Sequence, residues 1–166
     1  GAFWGFAKRA RVIIYSKANV RPEEVASYDS LALPRFRNQI VMRSSSNVYQ
    51  LSTLAARIER LGADNARAWA AGVRANFVRD PQGSDTDQIK AVGAGEAQAT
   101  LCNHYYYLRM SQSEDPADRE IIAKTALVFP DQAGAGTHVN ISGGGVTAHA
   151  RRRDKAVQFL EYLVSN

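Results

Sequence analysis

The sequence predicts an α/β fold with a mostly parallel central sheet flanked by helices. Short runs of β-branched and apolar residues, typical of buried strands, alternate along the chain with segments whose apolar residues recur at helical spacing. Such alternation favours a parallel sheet covered by helices. The chain has 166 residues, 45% of them hydrophobic, which suits one globular domain with a substantial core.

Five segments have the character of strands. The first is the β-branched run Val12–Tyr15, and the others cover residues 39–42, 97–101, 127–129 and 139–141. Pro130 ends the fourth strand. The fifth runs into three glycines, 143–145, which lack the spacing of a phosphate-binding loop. We predict a bend or a close backbone approach there.

Helical spacing predicts the remaining elements. A short helix lies within residues 20–33, and a longer one carries apolar residues from Leu51 to Leu61 and ends at Gly62. Asp64 begins the next helix, and Asp85 or Thr86 caps the one after it. Helices are also predicted to open at residues 105–110 and to close the chain around residues 156–163, with a turn at residues 113–118.

Composition excludes several classes of protein. No stretch approaches the roughly 20 apolar residues needed to span a bilayer, and the single cysteine, Cys102, excludes a disulfide framework and a cysteine-based zinc cluster. The net charge of +5 arises from cations that alternate with acids, so we predict no nucleic-acid partner. The apolar opening, Gly1–Phe6, precedes Lys8 and Arg9, the reverse of a secretory leader, so we expect no signal peptide in it.

Three consecutive tyrosines, Tyr105–Tyr107, are the most unusual local feature. Neighbouring positions on a helix point about 100° apart, so the three rings cannot all face one core. The triplet follows a predicted strand end at Leu101, and ligands of open α/β sheets bind just past such ends. Two interpretations remain open: packing with buried rings and solvated hydroxyls, and a ligand site.

A polar turn, Ser44–Asn47, follows another predicted strand and leads into a helix whose first turn carries Tyr49. Free backbone N–H groups at a helix start, with hydroxyls beside them, suit an anion. Plain N-capping would explain any one of these residues equally well.

Five segments are similar to one known family: Lys8–Val12, Arg43–Tyr49, Arg79–Gln88, Asn103–Tyr106 and Gly136–Gly143. Together they resemble the ferric-iron-binding proteins of bacterial ABC transporters, which have the two-lobed type 2 periplasmic-binding-protein fold. The tyrosine pair with the upstream Ser-Ser-Ser-Asn-Val-Tyr run is the specific part. The resemblance covers essentially the whole chain and implies one lobe of that fold.

The resemblance implies that Tyr49, Tyr105 and Tyr106 bind Fe³⁺ as phenolates and that Tyr107 packs. The chemistry is reasonable, because Fe³⁺ is a hard cation that prefers oxygen donors. A phenol is protonated in neutral water, with a pKa near ~10, and a bound cation displaces that proton. Binding should therefore release protons and weaken as pH falls.

The resemblance also implies a small anion, such as carbonate, beside the metal. Ser46 and Arg9 match positions that contact it, together with Arg11 and Asn103.

The main departure is length, because members of the family are about twice as long and their N-terminal third supplies further metal ligands. Within residues 1–166, taken as one unit, residues 10–132 correspond to the second, C-terminal lobe. Residues 133–166 correspond to the segment that crosses back to the first lobe. We expect apolar surfaces left open in this way to favour a homodimer.

The predicted function is that of a periplasmic solute-binding component, not an enzyme, that binds Fe³⁺ and delivers it to an inner-membrane ABC permease. One alternative is a binding protein of the same fold for a phosphonate, a polyamine or a sugar, although such relatives generally lack the adjacent tyrosines. A less favoured alternative is an enzyme acting on a small phosphorylated molecule at Ser44–Asn47. That turn has no paired acid and base, and the motifs of serine hydrolases and zinc proteases are absent.

Overall fold

The computed structural model describes residues 3–165 of the chain. They divide into two compact units. The main unit is Ala10–His138, and the flanking unit combines residues 3–9 with residues 139–165.

The sheet of the main unit is antiparallel. Strand β1 (Phe3–Ser16) lies between β2 (Ala99–Asn103) and β3 (Thr125–Val128), and both pairings are antiparallel. At the centre of the register, Ile13 lies opposite Leu101 on one side and Val128 on the other.

The α/β class is confirmed, but the expectation of a mostly parallel sheet is not. Alternation of strands and helices along a chain does not fix the direction in which each strand returns. Residues 39–42 form no strand, and Ile40 makes single parallel bridges to Phe77 and to Ala99.

The helices follow the predicted order, with one addition. Three short 3₁₀ helices occupy Pro22–Val25, Asp29–Ala32 and Pro34–Phe36. The α-helices are α1 (Val48–Leu61), α2 (Ala63–Ala75), α3 (Asp85–Gly93), α4 (His104–Ser111), α5 (Pro116–Lys124) and α6 (Arg153–Val164). Helix α5 replaces the second half of the turn predicted at residues 113–118 and begins after Asp115, whose side chain accepts from the Ala117 N–H.

Helix ends show which local signals were read correctly. Helix α1 ends at Gly62, as predicted, and this glycine has a φ of +81°, which a residue with a side chain rarely adopts. The cap of α3 is Ser84, not Asp85 or Thr86, because the Ser84 hydroxyl accepts from the N–H of Asp87.

The two faces of β1 pack against different apolar clusters, as expected for alternating side chains of a strand. Ile13 and Tyr15 join a cluster that includes the fully buried Leu31 and Phe36. Val12 and Ile14 join a second cluster that contains Cys102. The Cys102 thiol is fully buried, and burial raises its pKa.

In the flanking unit, β4 (Val139–Gly145) pairs with β1. A Cβ atom at Gly143 would lie 2.0 Å from the carbonyl oxygen of Trp4. The close backbone approach predicted for the glycine run is therefore confirmed at Gly143. Within residues 3–165, none of the helices combines the length and the apolar character that a bilayer span requires.

Candidate metal centre

Helix α4 presents two tyrosines directly after a buried strand. Strand β2 ends at Asn103, and α4 begins at the next residue, so Tyr105 and Tyr106 lie in the first turn of the helix. His104 fixes this turn to β1, because its Nδ1 atom accepts from the Ala10 N–H at 3.1 Å. The first turn of α4 is thus fixed to the sheet twice, by its direct connection to β2 and by the hydrogen bond between His104 and β1.

Tyr49 reaches the same place from α1. Its N–H donates to the side chain of the cap residue Asn47 at 2.9 Å, which fixes the start of that helix. The hydroxyls of Tyr106 and Tyr49 lie close enough to that of Tyr105 to raise its pKa. The Tyr105 and Tyr106 ring centroids are 4.3 Å apart, with the ring planes inclined at 31°. The structure therefore brings together all three tyrosines that the resemblance named.

The tyrosine cluster, Tyr49, Tyr105 and Tyr106, is an environment in which Tyr105 keeps its proton. Burial raises the pKa of Tyr105, and the hydroxyls of Tyr106 and Tyr49 raise it further. The Asn103 side chain opposes this rise, because an amide donor favours the phenolate. In the metal-free chain the phenol is therefore protonated at neutral pH, and a cation must displace the proton in order to bind.

Tyr107 has a different environment. Its hydroxyl donates to the Thr125 carbonyl at 2.9 Å, and its ring packs against the apolar cluster that contains Cys102. The interpretation that the third tyrosine packs agrees with this geometry.

Two arginines lie over the rings of the cluster. The Arg43 guanidinium is 5.8 Å from the centroid of Tyr49, and that of Arg109 is 5.5 Å from the centroid of Tyr106. Both guanidinium groups therefore place a positive charge close to the ring faces of the cluster. Both arginines were missed as site residues from the sequence, because nothing in the local pattern of charges indicates which ring an arginine will cover.

The residues predicted to contact an anion have varied positions. Asn103 is fully buried, and its Nδ2 atom has no hydrogen-bond partner. Ser46 is exposed, and its hydroxyl lies 2.8 Å from that of Ser44, just ahead of α1. Arg11 is fully buried and its guanidinium is bonded to protein groups, among them Asp85 at 2.9 Å. Arg9 is half-buried on β1 in the flanking unit. All four roles remain predictions.

Phenols are the donors that this arrangement offers to a metal. Among residues 3–165, no group of three or more His, Cys, Asp or Glu side chains is placed to hold a metal ion. A set of three oxygen donors suits a hard, highly charged cation better than the soft metals that thiolates and imidazoles select.

Comparison with known proteins gives a consistent family. Residues 1–166 match the family model described as bacterial extracellular solute-binding protein. Iron uptake protein A1 of Synechocystis sp. is 49% identical over 165 residues, which are 99% of this chain and 46% of that protein. The chain spans about half the length of the curated relatives it matches.

Solved structures agree with the sequence comparison. The Trichodesmium protein IdiA (FutA), solved with iron and citrate ligands, superposes with a TM-score of 0.95 at 49% identity, over 98% of this chain and 52% of that one. Apo FutA2 from Synechocystis superposes with a TM-score of 0.96 at 46% identity, over 99% of this chain and 53% of that one. The chain belongs to the bacterial extracellular solute-binding protein family.

Proposed function

We propose that this chain binds Fe³⁺ through the phenolates of Tyr49, Tyr105 and Tyr106, as part of the solute-binding component of an iron ABC transporter. The observation that carries the proposal is the convergence of tyrosines from two helices: the Tyr105 and Tyr106 rings are 4.3 Å apart, and Tyr49 of α1 is close enough to raise the pKa of Tyr105. The iron-related names of the relatives, and the iron and citrate of the Trichodesmium structure, support it.

The role of the protein groups is to gather the donors and to compensate their charge. Three phenolates carry three negative charges, which would repel one another without a cation. Arg43 and Arg109 reduce that repulsion from the ring faces. Fe³⁺ then supplies the remaining positive charge and takes the place of the protons.

We further propose that the protein is a periplasmic carrier, not an enzyme, and that an inner-membrane permease receives its iron. The main unit would correspond to the lobe that supplies the tyrosines. The homodimer also remains a proposal, supported by exposed apolar side chains in the flanking unit, such as Ile141, Phe159 and Tyr162. Sedimentation of a monomer at high protein concentration would contradict it.

The proposed function is tested by titrating the chain with ferric citrate at neutral pH and recording visible absorption. We expect a broad phenolate-to-iron charge-transfer band that saturates with added iron. Because ferric citrate contains no phenolate, the band reports ligation by tyrosine, and its loss on replacing Tyr105 and Tyr106 by phenylalanine would assign it to the cluster and not to the other tyrosines of the chain. Complete titration without such a band would contradict the proposal.

Iron binding should weaken steeply as pH falls. Each phenol that binds as a phenolate releases a proton, so lower pH favours the protonated, iron-free form. The raised pKa of Tyr105 ensures that its proton is present to be released at neutral pH. The apparent association constant should fall about tenfold per pH unit for each proton released, hence about a thousandfold for three.

The measurement is the charge-transfer band recorded against pH at fixed total iron, with a competing chelator corrected for its own protonation. The single variant Tyr106→Phe serves as the control, because it should remove one proton from the slope. A wild-type slope below one proton would contradict phenolate ligation.

The proposed anion site places a small anion, such as carbonate, against Ser46 at the start of α1 and the Asn103 amide at the start of α4. The unpartnered Asn103 Nδ2 atom supports this role, and so do the free N–H groups of a helix start. The predicted roles of Arg9 and Arg11 are part of the same proposal.

Ser46→Ala should weaken iron binding by about tenfold or more in bicarbonate buffer, since a hydrogen bond to a charged group contributes about 1.5–3 kcal/mol. Iron affinity is measured by citrate competition, with and without bicarbonate. Ser45→Ala is the matched control, being an exposed serine of the same turn. Equal losses in both buffers would show that Ser46 acts on the helix start and not on an anion.

A further inference from the structure

Asp85, the first residue of α3, is a fully buried carboxylate that no part of the proposed iron chemistry uses. Its Oδ2 atom accepts from Arg11 Nη1 and from the Asn103 N–H, each at 2.9 Å. Its Oδ1 atom accepts from Arg43 Nη1 at 3.1 Å. A buried charge is tolerated only when it is paired and hydrogen-bonded, and Asp85 meets that condition with donors from three separate segments.

One set of these contacts leads to helix α4. Asp85 holds the backbone of Asn103, the residue before the helix, while Arg11 Nη1 donates to Asn103 Oδ1 at 3.2 Å. Because Oδ1 is occupied by Arg11, the Nδ2 atom is the end of the amide that has no hydrogen-bond partner, two residues before Tyr105. The backbone and the side chain of Asn103, at the start of α4, are thus both fixed by Asp85, the first directly and the second through Arg11.

The other contacts lead to helix α1. Arg11 Nη2 donates to Gln50 Oε1 at 2.6 Å, and Gln50 directly follows Tyr49. Arg43, the second arginine bound by Asp85, covers the Tyr49 ring at 5.8 Å. Asp85 therefore reaches both helices that contribute tyrosines through its hydrogen-bond partners.

We propose that Asp85 is the positioning residue of the tyrosine cluster, acting through Arg11, Arg43 and Asn103 to hold Tyr49 in register with Tyr105 and Tyr106. The inference rests on the proposed function, because it concerns the geometry of iron binding at those tyrosines.

The test is Asp85→Asn, which keeps the size of the side chain and removes its charge. Wild type and variant are titrated with ferric citrate, and two properties are measured: the iron affinity by chelator competition, and the wavelength and intensity per iron of the charge-transfer band at saturation. We expect the affinity to fall about 10- to 100-fold, as for other groups that orient metal ligands. The band should shift and weaken, because one tyrosine loses its placement.

Asp29→Asn is the matched control. Asp29 is the ion-pair partner of another buried arginine, Arg57, which lies on α1. Removing its charge also leaves a buried arginine without its carboxylate, but this pair includes none of the hydrogen bonds by which Asp85 reaches Asn103 and Arg43. We expect a loss of stability but an unchanged band.

If Asp85→Asn does not fold, Arg43→Gln is the variant that tests whether the Asp85 contacts position the tyrosine cluster. Arg43 is largely buried but reaches the surface, so its replacement disturbs the core less. It should shift the band and lower the affinity about tenfold. A folded variant of either kind with the wild-type band and affinity overturns the role of Asp85. Absence of the band in wild type would instead overturn the proposed function, so the two failures are distinct.

Discussion

Replacing Tyr105 and Tyr106 together by phenylalanine should abolish the phenolate-to-iron band and lower iron affinity by well over ~100-fold. Loss of a group that only orients a metal ligand costs about 10- to 100-fold, and this variant removes two donors outright. The fold should persist, because the rings remain and the half-buried side chains lose only their hydroxyls. The measurement is the ferric citrate titration, with circular dichroism to verify folding.

Tyr107→Phe is the control for this prediction. It removes a hydroxyl from the adjacent helical position, where the group donates to Thr125 and not to the tyrosine cluster. We expect a loss of about 1 kcal/mol of stability from the missing hydrogen bond, with the band unchanged. If the double variant kept its iron, the proposed function would be wrong. If Tyr107→Phe lost iron, the ligand set would be misassigned.

Phe36→Ala should have the largest effect on stability. The Phe36 side chain is fully buried in the cluster that holds Ile13 of β1. Truncating a buried phenylalanine costs about 3–5 kcal/mol, a large part of the roughly 5–15 kcal/mol that stabilises a typical domain. We expect a fall in Tm of about 10 °C, measured by thermal unfolding of the iron-free chain.

Leu33→Ala provides the comparison, because Leu33 lies three residues away and is 52% exposed. Its replacement should change stability by about 0.5 kcal/mol or less. Similar losses in the two variants would mean that Phe36 does not carry the packing that its burial indicates.

Local signals predicted the helices well where periodicity and a terminal residue agreed. Leu51–Leu61 has a regular apolar stripe and is followed by a glycine, and α1 ends where expected. Helix α5 was missed because the polar residues around Pro116 were interpreted as a turn, although proline is common in the first turn of a helix. Strand direction was misjudged because it depends on long-range pairing, which the alternation of elements does not specify.

The candidate site was predictable in part. The tyrosine pair stands out in the sequence, and the resemblance added Tyr49, which lies more than fifty residues upstream. Asp85 gave no comparable signal. It was read as one of two helix caps, and its contacts with Arg11 and Asn103 join segments that are distant in the chain.

The burial of Cys102 has a practical consequence for studying this molecule. A thiol that is fully enclosed, with its pKa raised, reacts very slowly with maleimides and with oxidants. It can therefore stay in place while a second cysteine is introduced at an exposed position such as Glu114, in the segment between α4 and α5. A fluorophore or spin label would attach at that one position, and the native chain would need no prior removal of its own sulfhydryl.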